Sequence, residues 1–228
     1  MLALTAIPIK GITAADQIAQ SVREAILRGQ LRGGEALPQD ELAAQFGASK
    51  IPAREALVQL QSEGLVQFTH NKGAVVTTLT AAGVLEIYDM RIALETLALR
   101  RAIPNMTKAE FVRAAGLIQI MDDTHDPLAW SRLNWEFHAA LYAPCNMPRL
   151  LETVRMLHAN VTRYHVAFLT TVNYHAEAQR QHRVILASCK AGNADQAAIQ
   201  LARHMTAASG RIAEHLSSPD REACALKP

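Results

Sequence analysis

The sequence predicts a mostly α-helical protein: an N-terminal winged helix-turn-helix with a small β-hairpin, then a C-terminal all-helical bundle. Three observations carry this expectation. Ala, Leu, Arg and Gln are abundant while aromatic residues make up only 5% of the 228 positions, a composition that favours helices. Apolar residues recur at the 3.6-residue helical spacing over most of the chain. One stretch, residues 65–78, departs from that period into β-branched runs around a turn.

The elements follow in order. Thr13 is a suitable N-cap for a helix reaching Arg28-Gly29, with Ile18, Val22, Ile26 and Leu27 as its inner stripe. Gly33-Gly34 breaks the chain. A short helix follows Pro38, turns Leu42, Ala43 and Phe46 inward, and ends at Gly47. Ser49 caps a further helix carrying Leu57 and Leu60, which stops at Gly64. The expected strands, Leu65 to Thr69 and Ala74 to Thr78, flank the turn His70-Asn71-Lys72-Gly73. From Thr80 the pattern is helical throughout, near 80–103, 107–122, 127–143, 147–170, 173–190 and 193–216. Pro104-Asn105, Asp126-Pro127, Pro144 to Pro148 and Gly192-Asn193 separate these segments. The expected domains are residues 10–79 and 80–217.

Composition excludes several classes. A chain that is 50% apolar and 19% charged is not intrinsically disordered, and no run approaches the ~18 apolar residues of a membrane span. Met1 to Lys10 lacks the basic leader and long apolar core of a secretory signal. Cys145, Cys189 and Cys224 are scattered and form no CxxC, so neither a disulfide framework nor a zinc ribbon is encoded. A soluble, cytoplasmic protein without a membrane partner is expected. The net charge of +2 gives no global sign of a polyanion partner, and residues 1–79 hold seven basic and seven acidic side chains. Any nucleic-acid reading therefore rests on placement.

Placement supplies one. Ala43 lets two helices approach, Gly47 supplies the turn between them, and Leu57 and Leu60 close a small core, which is helix-turn-helix chemistry. Ser49, Lys50, Ile51, Pro52 and Arg54 lie at the start of the second helix, whose unpaired N–H groups and partial positive charge face phosphate. Lys50 and Arg54 share a face at i,i+4. Arg54 has the fork to read guanine O6 and N7, and Lys72 at the wing tip suits a phosphate or the minor groove. The plain alternative is a solvated face, with Arg54 paired to Glu55 or Glu63.

These residues also form a familiar stretch. Leu37-Pro38-Gln39-Asp40-Glu41-Leu42-Ala43, Phe46-Gly47-Ala48-Ser49-Lys50-Ile51-Pro52-Ala53-Arg54-Glu55-Ala56-Leu57 and Glu63-Gly64-Leu65-Val66 closely resemble the winged helix of GntR-type regulators. The resemblance implies operator-DNA contacts from Ser49, Lys50, Arg54 and the wing tip Asn71-Lys72-Gly73. Lys50 stands where Arg is more usual, which keeps the charge but loses the fork. Asp40 stands where relatives often carry an operator-contacting Arg.

Eight of nine histidines follow residue 80. His138, His182 and His204 sit in helical, apolar-flanked segments, and Asn134 shares a helix face with His138 at i,i+4. Individually such histidines are usually packed or exposed. Convergent in a bundle core, three imidazoles suit Zn, Ni, Cu or Fe and leave an open position. The segments Glu86 to Glu95, Asn134-(x)-(x)-Phe137-His138-(x)-(x)-Leu141-Tyr142, Gln181-His182-(x)-(x)-Ile185 and Arg203-His204-Met205 resemble the FCD effector domain of the FadR subfamily. That resemblance implies a divalent metal (Zn, Ni or similar) on Asn134, His138, His182 and His204. It also implies a small carboxylate effector on Arg91, for which the structural alternative is a surface i,i+4 pair with Glu95. Arg155, Arg163, Tyr164 and His165 are candidates for the rest of that pocket. The expected protein is a homodimeric regulator, a repressor rather than an enzyme, on a palindromic operator. A metal-dependent hydrolase fused to a DNA-binding domain is the rival.

Overall fold

The computed structural model describes residues 13–171 and 174–217; positions 1–12, on which the leader reading bears, and Cys224 lie outside them. The chain divides into two compact units, Met1–Thr78 and Leu79–Pro228.

The first unit holds α1 (Ala14–Leu27), α2 (Gln39–Gln45) and α3 (Lys50–Ser62), then β1 (Val66–Thr69) and β2 (Gly73–Val76). Thr13 caps α1 by accepting from the Asp16 N–H at 3.1 Å. Ile18, Val22 and Ile26 of α1 pack with Leu42 of α2, Leu57 and Leu60 of α3, and Val66 and Val76 of the hairpin, all fully or nearly fully buried. Leu27, expected in this stripe, is only half-buried; Ala19 and Ala25 take the inner face instead. Gly47 turns the chain between α2 and α3 at φ +60°, a conformation that costs an L side chain but not glycine. The strands pair antiparallel, Val66 opposite Val76 and Thr69 opposite Gly73. Residues 34–37, read from sequence as no more than a break and loop, add to this sheet. Ala36 bridges Val75, and Leu37 donates to the Ala74 carbonyl at 2.8 Å.

The second unit is helical among its described residues: α4 (Ala81–Ala102), α5 (Lys108–Asp122), α6 (Pro127–Tyr142), α7 (Pro148–Thr171), α8 (His175–Lys190) and α9 (Ala194–Ser217). The starts are chemically marked. Thr80 caps α4, Thr107 and Glu110 form a reciprocal capping box on α5, and Asp126 caps α6 ahead of Pro127. One continuous core includes Leu99, Phe137, Leu141, Val161, Phe168, Ile185, Leu201 and Ile212. Helices α4, α6, α8 and α9 meet in it, and that meeting positions the site. No helix among the described residues is long and apolar enough to cross a membrane.

Candidate functional site

The residues expected from the sequence to contact DNA lie at the start of α3 and at the turn between β1 and β2. Ser49 is the N-cap residue of α3, but its hydroxyl makes no capping bond, so the expected side-chain cap is replaced by an exposed hydroxyl at the helix start. Ile51 is 69% exposed. Pro52 is half-buried, and Lys50 and Arg54 are exposed. Glu63 is not a partner for Arg54: it is gripped through both oxygens by Arg23, at 2.6 and 2.7 Å. Among the described residues Arg54 has no ion pair. Lys50 Nζ pairs instead with Asp40 at 2.9 Å, in the open. At the wing tip Asn71 (φ +66°) and Gly73 (φ +68°) adopt left-handed backbone, and Lys72 projects into solvent.

In the second unit α6, α8 and α9 bring His138, His182 and His204 together. One ring nitrogen of each lies within 4.8 Å of the others, and all three residues are buried. The Nδ1 atoms are engaged elsewhere: His138 with Tyr142 Oη at 3.2 Å, His182 with Gln179 Oε1 at 2.9 Å, His204 with Gln181 Oε1 at 2.7 Å. Each Nε2 is therefore the atom left for the cluster. His182 Nε2 is sealed from solvent without a hydrogen-bond partner, and so is Asn134 Oδ1, one turn from His138. Buried polar atoms are normally satisfied. Two orphaned lone pairs beside two more imidazoles are what a cation's ligand set looks like without its cation, so these four residues fit a divalent metal. The set is neutral: three imidazoles and an amide.

A cavity of about 20 Å³ adjoins the cluster, room for little more than a water. Its walls include Arg91, Trp130, Asn134, His138, His158 and His165. Arg91 is buried, not on a surface. Its Nε donates to Glu95 Oε1 at 2.7 Å, Glu95 is wholly buried, and Tyr142 donates to the other carboxylate oxygen at 2.6 Å. The pair with Glu95 is thus real, but it sits in the cavity wall, where the guanidinium also lies over the Tyr88 ring at 4.8 Å. Of the other pocket candidates only His165 lines the cavity, its Nδ1 3.1 Å from Ser131 Oγ. Arg155 is exposed and paired with Glu152, Tyr164 accepts from the Leu79 N–H, and Arg163 stacks over Tyr164. The sequence reading missed His158, Trp130, Gln179 and Gln181. Glutamines flanking a buried histidine on an otherwise polar helix were the available signal.

Burial also sets protonation. It pushes His138 and His182 well below the usual histidine range, with His204 adding to both effects. Burial and then the Arg91 charge bring His204 to about 4 and His165 to about 3. All four are neutral at pH 7, the form that binds metals. Glu95, buried one hydrogen bond beyond Tyr142, has both its oxygens committed. A hydrolase needs a free general base here, and Glu95 does not offer one.

The fold and site define a winged-helix DNA-binding protein joined to an all-helical domain with a buried histidine cluster. Residues 14–76 match the family described as bacterial regulatory proteins, gntR family, and residues 86–207 match the FCD domain. The chain belongs to this family of transcriptional regulators. An uncharacterized HTH-type transcriptional regulator of Bacillus subtilis, YdhC, is 30% identical over 213 residues, 88% of this chain and 89% of its own. Two such regulators of Mycobacterium tuberculosis are 28% identical over 145 residues, 64% of this chain but only 59% of theirs. The gluconate operon transcriptional repressor of B. subtilis is 38% identical over 87 residues, 38% of this chain and 35% of its own. The crystal structure of a GntR-family transcriptional regulator from Pseudomonas syringae is 32% identical. It covers 89% of this chain and 87% of its own, with a TM-score of 0.56.

The histidine environment fixes a pH dependence. Unfolded, these imidazoles titrate near ~6.5; folded, they titrate far lower. As pH falls through 6.5 the unfolded chain takes up protons first, so native stability is lost between about 6.5 and about 4, where His204 titrates. The urea midpoint of metal-free protein is expected to be clearly lower at pH 5 than at pH 7.5. An unchanged midpoint contradicts the neutral cluster.

Proposed function

We propose that this chain is a homodimeric repressor, acting in the cytoplasm on palindromic operator DNA and governed by a small organic acid bound beside a metal in the helical bundle. The observation that carries the reading is the buried meeting of His138, His182 and His204 with the orphaned Asn134 oxygen. These four residues would hold a divalent ion, Zn or Ni suiting imidazole. The bound ion supplies an electrophilic position open to a carboxylate oxygen. Because the four protein ligands are neutral and Arg91 is already balanced by Glu95, an anion is the ligand that best offsets the ion's charge. Arg91 presents the guanidinium that matches a carboxylate from the other side. The repressor assignment is supported by the gluconate operon repressor among the relatives.

The tight cavity suggests how ligand occupancy reaches DNA. About 20 Å³ does not admit an organic acid unless the helices bearing Arg91, His138 and His204 part. An acid therefore binds an opened arrangement better than a closed one, and a ligand shifts an equilibrium only through such a difference. In a two-fold dimer that shift changes the separation of two reading helices and so the fit to half-sites about one helical turn apart.

At the operator, Ser49, Lys50, Ile51, Pro52 and Arg54 enter the major groove, and Asn71, Lys72 and Gly73 meet the backbone or minor groove. Replacing Arg54→Ala is expected to relax preference at one base position by about 1–3 kcal/mol. Lys72→Ala should weaken all sequences alike and lower the salt slope by about one. Both are read by titrating labelled operator variants at several salt concentrations; equal loss on every sequence for Arg54→Ala would reject its base-reading role. The metal is tested by elemental analysis of protein purified without a histidine tag. One divalent ion per chain is expected, lost in His182→Ala; sub-stoichiometric metal in a normally folded wild type overturns the site.

A further inference from the structure

The three imidazoles are anchored by three chains of hydrogen bonds with the same chemical order. His182 Nδ1 meets Gln179 Oε1, Gln179 Nε2 donates to Asp122 Oδ1 at 2.8 Å, and Arg183 holds the other oxygen of Asp122 at 2.5 Å. His204 Nδ1 meets Gln181 Oε1, Gln181 Nε2 donates to Glu177 at 2.6 Å, and Arg180 grips Glu177 at 2.6 and 2.9 Å. His138 Nδ1 meets Tyr142 Oη, Tyr142 donates to Glu95, and Arg91 holds Glu95. Each chain runs imidazole, neutral relay, carboxylate, arginine.

The order dictates where the imidazole protons sit. Gln179 spends both amide protons, one on Asp122 and one on the Ile118 carbonyl at 2.8 Å, so its amide orientation is fixed with the oxygen toward His182. Gln181 turns its NH₂ to Glu177, and its oxygen also accepts from Tyr174 at 3.2 Å. The single proton of Tyr142 lies toward Glu95. All three relays therefore offer the histidines an acceptor only, and an acceptor demands a proton on Nδ1.

Resting on the metal reading above, we propose that Gln179, Gln181 and Tyr142 are positioning residues of that centre. They hold His138, His182 and His204 as Nδ1–H tautomers and turn three Nε2 lone pairs into one space before any ion arrives. The carboxylates fix the relays, and the arginines fix the carboxylates. Such outer partners set ring orientation and ligand basicity, and losing one commonly costs 10–100-fold in metal affinity. The two glutamine chains end on exposed arginines, whereas the tyrosine chain ends on Arg91 in the cavity wall. Two of the relays lie within Glu177 to Arg183 on α8, a seven-residue stretch that carries most of the arrangement.

The test uses the full chain, ¹⁵N-labelled at histidine, metal-free, at pH 7.5. Long-range ¹H–¹⁵N spectra distinguish the two neutral tautomers at each ring. The wild type is expected to show Nδ1–H at all three positions. Gln181→Met, at a half-buried site, should release His204 alone to mixed tautomers, and Tyr142→Phe should release His138 alone. Each should lower zinc affinity, measured by chelator competition, roughly 10–100-fold with an unchanged far-UV spectrum. An Nε2–H tautomer at any of the three in the wild type overturns the proposal, as does zinc affinity within twofold in a folded variant. If Tyr142→Phe does not fold, Gln181→Met decides. Absence of zinc binding by the wild type rejects the metal reading itself, while the metal-free spectra judge the relays separately.

Discussion

The second unit is organised around one constraint: three imidazoles are buried with their accepting nitrogens turned toward one another. Lone pairs in that arrangement repel, water has almost no room among them, and burial forbids the protons that would relieve them. The surrounding helices hold the arrangement against its own cost. α6 supplies Asn134 and His138 on one face, α8 supplies His182 and both glutamine relays, and α9 supplies His204. Any ligand that satisfies the nitrogens recovers that cost as binding free energy, so occupancy of the site and stability of the bundle are linked.

The same economy of charge runs through the first unit. The sequence is nearly balanced, and the charges proposed to face DNA are few and positional. Lys50, at the start of the reading helix, is already paired with Asp40 in solvent. An exposed pair of this kind contributes little to stability, so phosphate can displace Asp40 at small expense. On the proposed interface Asp40 would remain beside Lys50 as a negative charge that tempers phosphate attraction, and base discrimination would fall to Arg54.

Much of this was legible in the sequence, for identifiable reasons. Helix starts were legible where a capping side chain precedes an apolar stripe, as at Thr13, or a proline, as at Asp126-Pro127. The hairpin was legible from its turn, although β2 begins at Gly73, whose left-handed backbone together with that of Asn71 closes the turn. The pairing of residues 34–37 with β2 was hidden, since a glycine-rich segment carries no alternating pattern. Asn134 and His138 were legible as a pair because four residues on a helix fix a face. Arg91 beside Glu95 looked like a surface pair: spacing reports proximity and says nothing of depth. Arg155 and Tyr164, candidates for the pocket, are not among its lining residues, because the rotation of a long amphipathic helix about its axis is set by tertiary packing and not by spacing. The relays were overlooked because glutamines and acids on α8 read as a solvated face until the neighbouring helices are in place.

The central claim is that His138, His182 and His204 ligate one metal ion that a carboxylate completes. X-ray absorption at the edge of the ion retained by untagged protein tests it most directly. The account predicts three imidazole nitrogens at ~2.0–2.1 Å with oxygen in the remaining positions, and altered oxygen scattering when a small carboxylate such as citrate is added. Sulfur ligands, or fewer than three imidazoles around the ion, would contradict it.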